Sequence, residues 1–106
     1  MRPVTAQWVA NAVGGTLAAD VDTIVSSVVK DSRDAQAGSL YVAFVGERVD
    51  GHDFVGAAVA AGATLCLVSR SVDAPHVLVD DVEVALGALA RAYLALLRTE
   101  GEITVI

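Results

Sequence analysis

Leu40-Tyr41-Val42-Ala43-Phe44-Val45, then Gly46-Glu47-Arg48-Val49-Asp50-Gly51-His52-Asp53-Phe54, then Val55-Gly56-Ala57-Ala58-Val59-Ala60-Ala61: this run decides the fold class. The first segment is apolar and ends in a cluster of turn formers, so it reads as a buried strand. The third is alanine-rich and ends before Gly62, so it reads as a helix with a glycine stop. The middle segment carries two glycines, an arginine, a histidine and two aspartates. That is more polar chemistry than a plain turn needs. Loops between strand and helix are where α/β proteins bind ligands.

Working outward, Thr64 to Val68 reads as another buried strand, followed by a polar loop from Arg70 to Pro75 and a short strand from His76 to Val79. Asp80 or Asp81 is expected to cap a long helix over residues 82–98, with Leu86, Leu89, Tyr93 and Leu96 facing the core and Glu83, Gly87 and Arg91 on another face. Asp50 or Asp53 is expected to cap the helix after the polar loop. Phe54, Ala57, Ala58 and Ala61 would be its inner face. Toward the N-terminus, residues 5–13 pattern as a helix with Thr5 as N-cap and Gly14-Gly15 as terminator; Trp8, Val9, Ala12 and Val13 share a face. Residues 23–30 are rich in β-branched side chains and read as one strand, broken by Asp31 to Asp34. Ile103 to Ile106 reads as a final strand after Gly101.

The expected order is α-β-β-α-β-β-α-β. It describes one α/β domain with a small mixed β-sheet flanked by helices. A chain of 106 residues is one domain and can bury a core without disulfides. With 55% apolar and 5% aromatic residues, that core is mostly Ala, Val and Leu. An apolar strand at the very end of the chain reads as a domain cut from a longer protein.

Bulk charge excludes some partners. The net charge is −6 and Lys30 is the only lysine, so a nucleic-acid surface is not expected. No apolar stretch approaches the roughly 18 residues of a membrane span, and no signal peptide is visible. A cytoplasmic protein that does not bind membranes is expected. Cys66 sits in an apolar run and reads as a buried, inert thiol. An anionic ligand would need local donors, meaning backbone N–H groups and single cations.

Several chemistries are missing. There is no G-x-x-x-x-G-K-[ST] phosphate loop, no G-x-G-x-x-G after a strand, no nucleophile elbow and no Cys/His spacing for zinc. No catalytic residue and no metal ligand is assigned. Two polar clusters remain, each at a strand end: Lys30-Asp31-Ser32-Arg33 and Gly46 to His52. Sequential strands are usually neighbours, which would turn both clusters toward one crevice. Hydroxyl, guanidinium, imidazole and exposed amides together suit a sugar nucleotide. The alternative is a local Asp31–Arg33 ion pair fixing a turn, with His52 only capping a helix.

These clusters resemble the N-terminal domain of the Mur ligases, the cytoplasmic enzymes that build the peptide stem of bacterial peptidoglycan. The resemblance rests on Asp31-Ser32-Arg33, on Gly38-Ser39-Leu40-Tyr41-Val42-Ala43, on Gly46 to Phe54, on Ala57 and on Gly62-Ala63. It covers residues 5–106. Two kinds of member share this domain type. One adds D-alanyl-D-alanine to UDP-MurNAc-tripeptide, and the other adds the third residue to the UDP-linked dipeptide. The wording of Gly46 to Phe54, Trp8-Val9-Ala10, Gly14-Gly15 and Ala85 to Ala90 is more similar to the first.

The resemblance implies a UDP-substrate-binding domain over residues 1–106, belonging to a ligase that phosphorylates a carboxylate and joins it to the incoming amine. It implies ATP and Mg2+ held by a central domain absent from this chain, and an inactive domain on its own. Carried over, the UDP portion would be held by Lys30, Ser32, Glu47, Arg48 and Val49, with Asp31, Arg33, Gly46, Gly51 and His52 shaping the pocket. A monomer is expected. A non-catalytic interaction module is the reading from a different class.

Overall fold

The structure is a computed structural model that describes residues 1–99. The expected strand Ile103–Ile106 and the Gly101 stop lie outside the described residues.

The elements run β1 Val4–Thr5, α1 Ala6–Val13, β2 Thr16–Ala18, β3 Ile24–Val25, β4 Ser27–Val29, β5 Ser39–Val42, α2 Val55–Ala60, β6 Leu65–Val68, β7 His76–Leu78 and α3 Val82–Thr99. Short 3-10 turns cover Ser32–Asp34 and Gly51–Phe54. Among the described residues the main sheet has five strands in the order β2-β7-β6-β5-β4. β4 to β7 are parallel to one another, and β2 pairs antiparallel with β7 through Leu17 and Val77. β1 and β3 form a separate antiparallel pair.

Alternation along the strands divides the interior. Leu40, Val42, Leu65, Leu67 and Val77 face the layer that contains α1 and α3. Tyr41, Ala43, Cys66 and Val68 face α2, against Val55 and Ala58. Both faces of the central strands are therefore covered, which is why they read as unbroken apolar runs.

The caps follow their local chemistry. The Thr5 hydroxyl accepts from the Trp8 N–H at 3.1 Å, and Gly14 closes α1 at φ 67°, a backbone conformation that costs glycine little. Asp81, not Asp80, caps α3 by accepting from Glu83 N–H at 2.9 Å and Val84 N–H at 3.2 Å.

Several expectations change. Residues 23–30 are not one strand. The segment leaves one sheet and enters the other at Ser26, whose N–H donates to Gly38 carbonyl at 2.8 Å. β1 and β2 are too short to show a period in the sequence. The inner face of α2 is Val55 and Ala58, while Phe54, Ala57 and Ala61 are exposed, because the 3-10 turn before the helix shifts its phase. On α3, Leu89 is buried and Leu86 and Leu96 pack against the same core as expected; buried Val82 and Ala85 join them, and Tyr93 is half-buried. On α1, Ala6 and Ala10 join Val9 inside, and Trp8 lies at the margin.

Candidate functional site

Parallel pairing of β4 with β5 sets the site. Val28 stands beside Leu40 and Val29 beside Tyr41, so both strands end on the same edge of the sheet. Lys30 to Arg33 leave the end of β4, and Ala43 to Gly51 leave the end of β5. Between them lies an open cleft of about 810 Å³, lined by Lys30, Asp31, Ser32, Arg33, Tyr41, Phe44, Gly46, Val49, Gly51, Phe54 and Glu83. That size falls within the ~300–1,000 Å³ of small-molecule sites.

The β4 side is a capped turn. Asp31 accepts from Arg33 N–H at 2.9 Å and pairs with the Arg33 guanidinium at 2.7 Å. The guanidinium side-chain bond and the backbone bond from Arg33 hold the Asp31 carboxyl down at about 2. The same partnership pushes the Arg33 guanidinium further up. The local ion pair weighed in the sequence is therefore present, and it also keeps Arg33 at the cleft with its side chain 87% exposed.

The β5 side is a miniature hairpin. Gly46 N–H donates to Val49 carbonyl at 2.8 Å, Val45 bridges Asp50, and Gly51 N–H donates to Phe44 carbonyl at 2.6 Å. Backbone approaches so closely there that a side-chain carbon on Gly51 would sit 2.7 Å from the Phe44 oxygen. From the sheet beneath, the Tyr41 hydroxyl donates to the Gly51 carbonyl at 2.8 Å. Burial raises the Tyr41 hydroxyl above its usual range, so it stays protonated and able to donate.

Of the residues expected at the site, Lys30, Asp31, Ser32, Arg33, Gly46, Val49 and Gly51 line the one cleft. Glu47 and Arg48 do not line it; both are exposed at the hairpin tip. His52 is turned away. Its side chain is 1% exposed and lies between Asp50 and Ser69. Four lining residues escaped the sequence reading: Tyr41, Phe44, Phe54 and Glu83. The first two looked like core strand residues, and Glu83 like a solvated helix position. Only knowledge of which strands are neighbours brings α3's first turn to this cleft.

Among the described residues no group of His, Cys, Asp or Glu could hold a metal ion. The chain also lacks a phosphate loop of the ATP-binding kind. The described residues therefore offer no carboxylate or imidazole cluster that fits Mg2+, and the sequence offers no phosphate loop that fits ATP. No helix among the described residues is long and apolar enough to cross a membrane.

Residues 24–94 match the model of the Mur ligase family, catalytic domain. The chain belongs to the Mur ligase family. It is 40% identical, over 90% of its length, to the UDP-N-acetylmuramoyl-tripeptide–D-alanyl-D-alanine ligase of Bacillus subtilis (strain 168). A 36% identity over 67% of the chain links it to the UDP-N-acetylmuramoyl-L-alanyl-D-glutamate–2,6-diaminopimelate ligase of Fusobacterium nucleatum. Among solved structures, MurF from Acinetobacter baumannii superimposes with a TM-score of 0.80 at 33% identity, covering 87% of this chain and 21% of that one. The α/β architecture with a mixed sheet is thus that of a Mur ligase. The chain spans 22% of the B. subtilis relative and 16% of the F. nucleatum one.

Proposed function

We propose that this chain is the domain of a peptidoglycan-building ligase that holds the UDP end of UDP-MurNAc-tripeptide, while D-alanyl-D-alanine is joined at the far end of that substrate. The observation that carries the reading is the cleft at the shared end of β4 and β5. Phe44 and Phe54 offer aromatic surface for a base, Lys30 and Arg33 offer cationic groups for a pyrophosphate, and Glu83 offers an acceptor for hydroxyls. Similarity to ligases of this specificity supports the substrate. Holding a remote end converts binding energy into position for the reacting carboxylate. ATP and Mg2+ belong to segments of the enzyme outside this chain, and the reaction takes place in the cytoplasm.

Arg48 stands exposed at the tip of the hairpin that walls the cleft, and we assign it as a cation that reaches bound ligand from there. Arg48→Ala is then expected to weaken substrate binding by roughly 1–3 kcal/mol; unchanged affinity removes it from the site.

The test is a titration of the isotopically labelled chain with UDP-MurNAc-tripeptide, read by amide NMR shifts. Saturable shifts clustered at residues 30–33 and 46–52 are expected. Shifts scattered elsewhere, or none at millimolar ligand, count against the reading. Similarity to the diaminopimelate-adding ligase supports a second reading, in which the substrate is the UDP-linked dipeptide. Both substrates share the UDP end, so the full-length enzyme decides: which condensation it catalyses separates them.

A further inference from the structure

A set of polar contacts centred on His52 lies just behind the cleft, and none of Asp50, His52, Ser69 and Arg70 lines the cleft itself. His52 Nδ1 is 2.7 Å from Asp50 Oδ1, and His52 Nε2 is 3.0 Å from the Ser69 backbone nitrogen. A backbone N–H can only donate, so Nε2 must carry the lone pair. A neutral ring then has its proton on Nδ1, directed at the Asp50 carboxylate. That carboxylate is fully engaged. Oδ1 also accepts from the His52 backbone N–H at 2.9 Å, and Oδ2 accepts from the Arg70 guanidinium, whose other arm reaches toward Asp53 at 3.8 Å. An imidazolium would instead turn an N–H toward the Ser69 N–H, donor against donor.

The placement matters more than the bonds themselves. Ser69 and Arg70 follow the end of β6, whereas Asp50 to His52 close the hairpin that follows β5. The ring therefore spans the two strand ends and sits one residue from Gly51, whose carbonyl accepts from the Tyr41 hydroxyl and whose N–H donates to the Phe44 carbonyl. Gly46, Val49 and Gly51 of this hairpin form one wall of the cleft.

We propose that His52, fixed as the Nδ1–H tautomer between the Asp50 carboxylate and the Ser69 backbone N–H, is a positioning residue that locks the Gly46–Gly51 hairpin to the end of β6 and so presets the cleft wall. The identity of the ligand that benefits rests on the proposed function; the locking does not. A preset wall lowers the ordering cost of binding. The ring binds nothing itself. It acts through the hairpin.

The test begins with the wild-type chain labelled on histidine nitrogen. At neutral pH, Nε2 of His52 is expected to resonate as an unprotonated acceptor and Nδ1 as a protonated donor. The opposite pattern, or an imidazolium, overturns the proposal without any variant. His52→Gln and His52→Phe then separate roles. A glutamine oxygen reaches roughly where Nε2 stands and can keep the Ser69 bond; phenylalanine keeps bulk and loses both bonds. Amide exchange at Gly46 and Gly51 is expected to quicken in His52→Phe by about tenfold more than in His52→Gln, with exchange in β6 unchanged. Equal exchange at the hairpin in all three chains overturns the lock. With UDP-MurNAc-tripeptide as probe, His52→Phe is expected to bind about tenfold more weakly than wild type, with partial rescue in His52→Gln. If wild type fails to bind this probe, the nucleotide reading fails while the ring and exchange data still decide the lock.

Discussion

Single side chains at the cleft and just behind it are set by pairing rather than by burial. Asp31 and Asp50 are both held as carboxylates by neighbouring donors: Arg33 for the first, and Arg70 with the His52 backbone and ring for the second. Both have folded pKa values depressed below the ordinary 3.8. A depressed carboxyl contributes stability that is fully present above its unfolded value and is lost as pH falls through its folded value. For Asp31 that window runs from 3.8 down to about 2; for Asp50 the loss extends lower still. Urea midpoints measured from neutral pH downward should therefore fall on acidification below about 4. Asp50→Asn should flatten that acid limb. An acid limb as steep in the variant as in wild type would show that the Asp50 contacts do not contribute. Asp31 was legible in the sequence as a turn-capping partner because Arg33 is two residues away. The Asp50–Arg70 contact was not, because 20 residues and a whole strand–helix unit separate the pair.

At the scale of elements, the hairpin and α3 make opposite demands. The hairpin needs an absent side chain. In Gly51→Ala the added carbon would sit 2.7 Å from one backbone atom of Phe44 and 2.8 Å from another, and backbone cannot swing aside as a side chain can. We expect a destabilisation of about 1–3 kcal/mol, with loss of ligand binding beyond it, since the wall must move. Wild-type stability by urea denaturation would mean that the hairpin has room to shift. α3 needs a filled one. Leu89 is 4% exposed and packs with Val82 and Ala85 against the sheet. Leu89→Ala should cost roughly 2–5 kcal/mol by leaving a cavity, while Leu94→Ala, on the exposed side, should cost far less. Similar unfolding midpoints for the two would put the wrong face of α3 against the core.

For the whole molecule, the sheet order predicts a gradient of protection. β5 and β6 are flanked on both sides by strands and covered on both faces, whereas β2 and β4 are edges. Native-state hydrogen exchange should be slowest at Leu40 to Val42 and Leu65 to Val68, and faster at Ser27 to Val29 and Thr16 to Ala18. Uniform protection across all five strands would argue against this order. The cleft opens where the edge strand β4 meets the protected strand β5, so its β4 wall belongs to the less protected part of the sheet, while the Tyr41 hydroxyl ties the hairpin at Gly51 to a protected strand.

Local patterns were sufficient for β5, β6, α3 and the cap at Thr5, and they narrowed the α3 cap to Asp80 or Asp81, because period, glycine stops and capping side chains act within a few residues. They also located both polar clusters, because turn chemistry is local. Three things depended on tertiary structure. Residues 23–30 divide between two sheets because Ser26 finds Gly38, a partner 12 positions away. Tyr41, Phe44 and Glu83 become cleft residues only because parallel β4 and β5 end on one edge and α3 begins nearby. His52 turns inward, away from the cleft, because Asp50 and Ser69 satisfy both ring nitrogens there. A buried polar ring is stable only where partners already wait, and nothing within its own stretch of chain could show that the second partner comes from the end of β6.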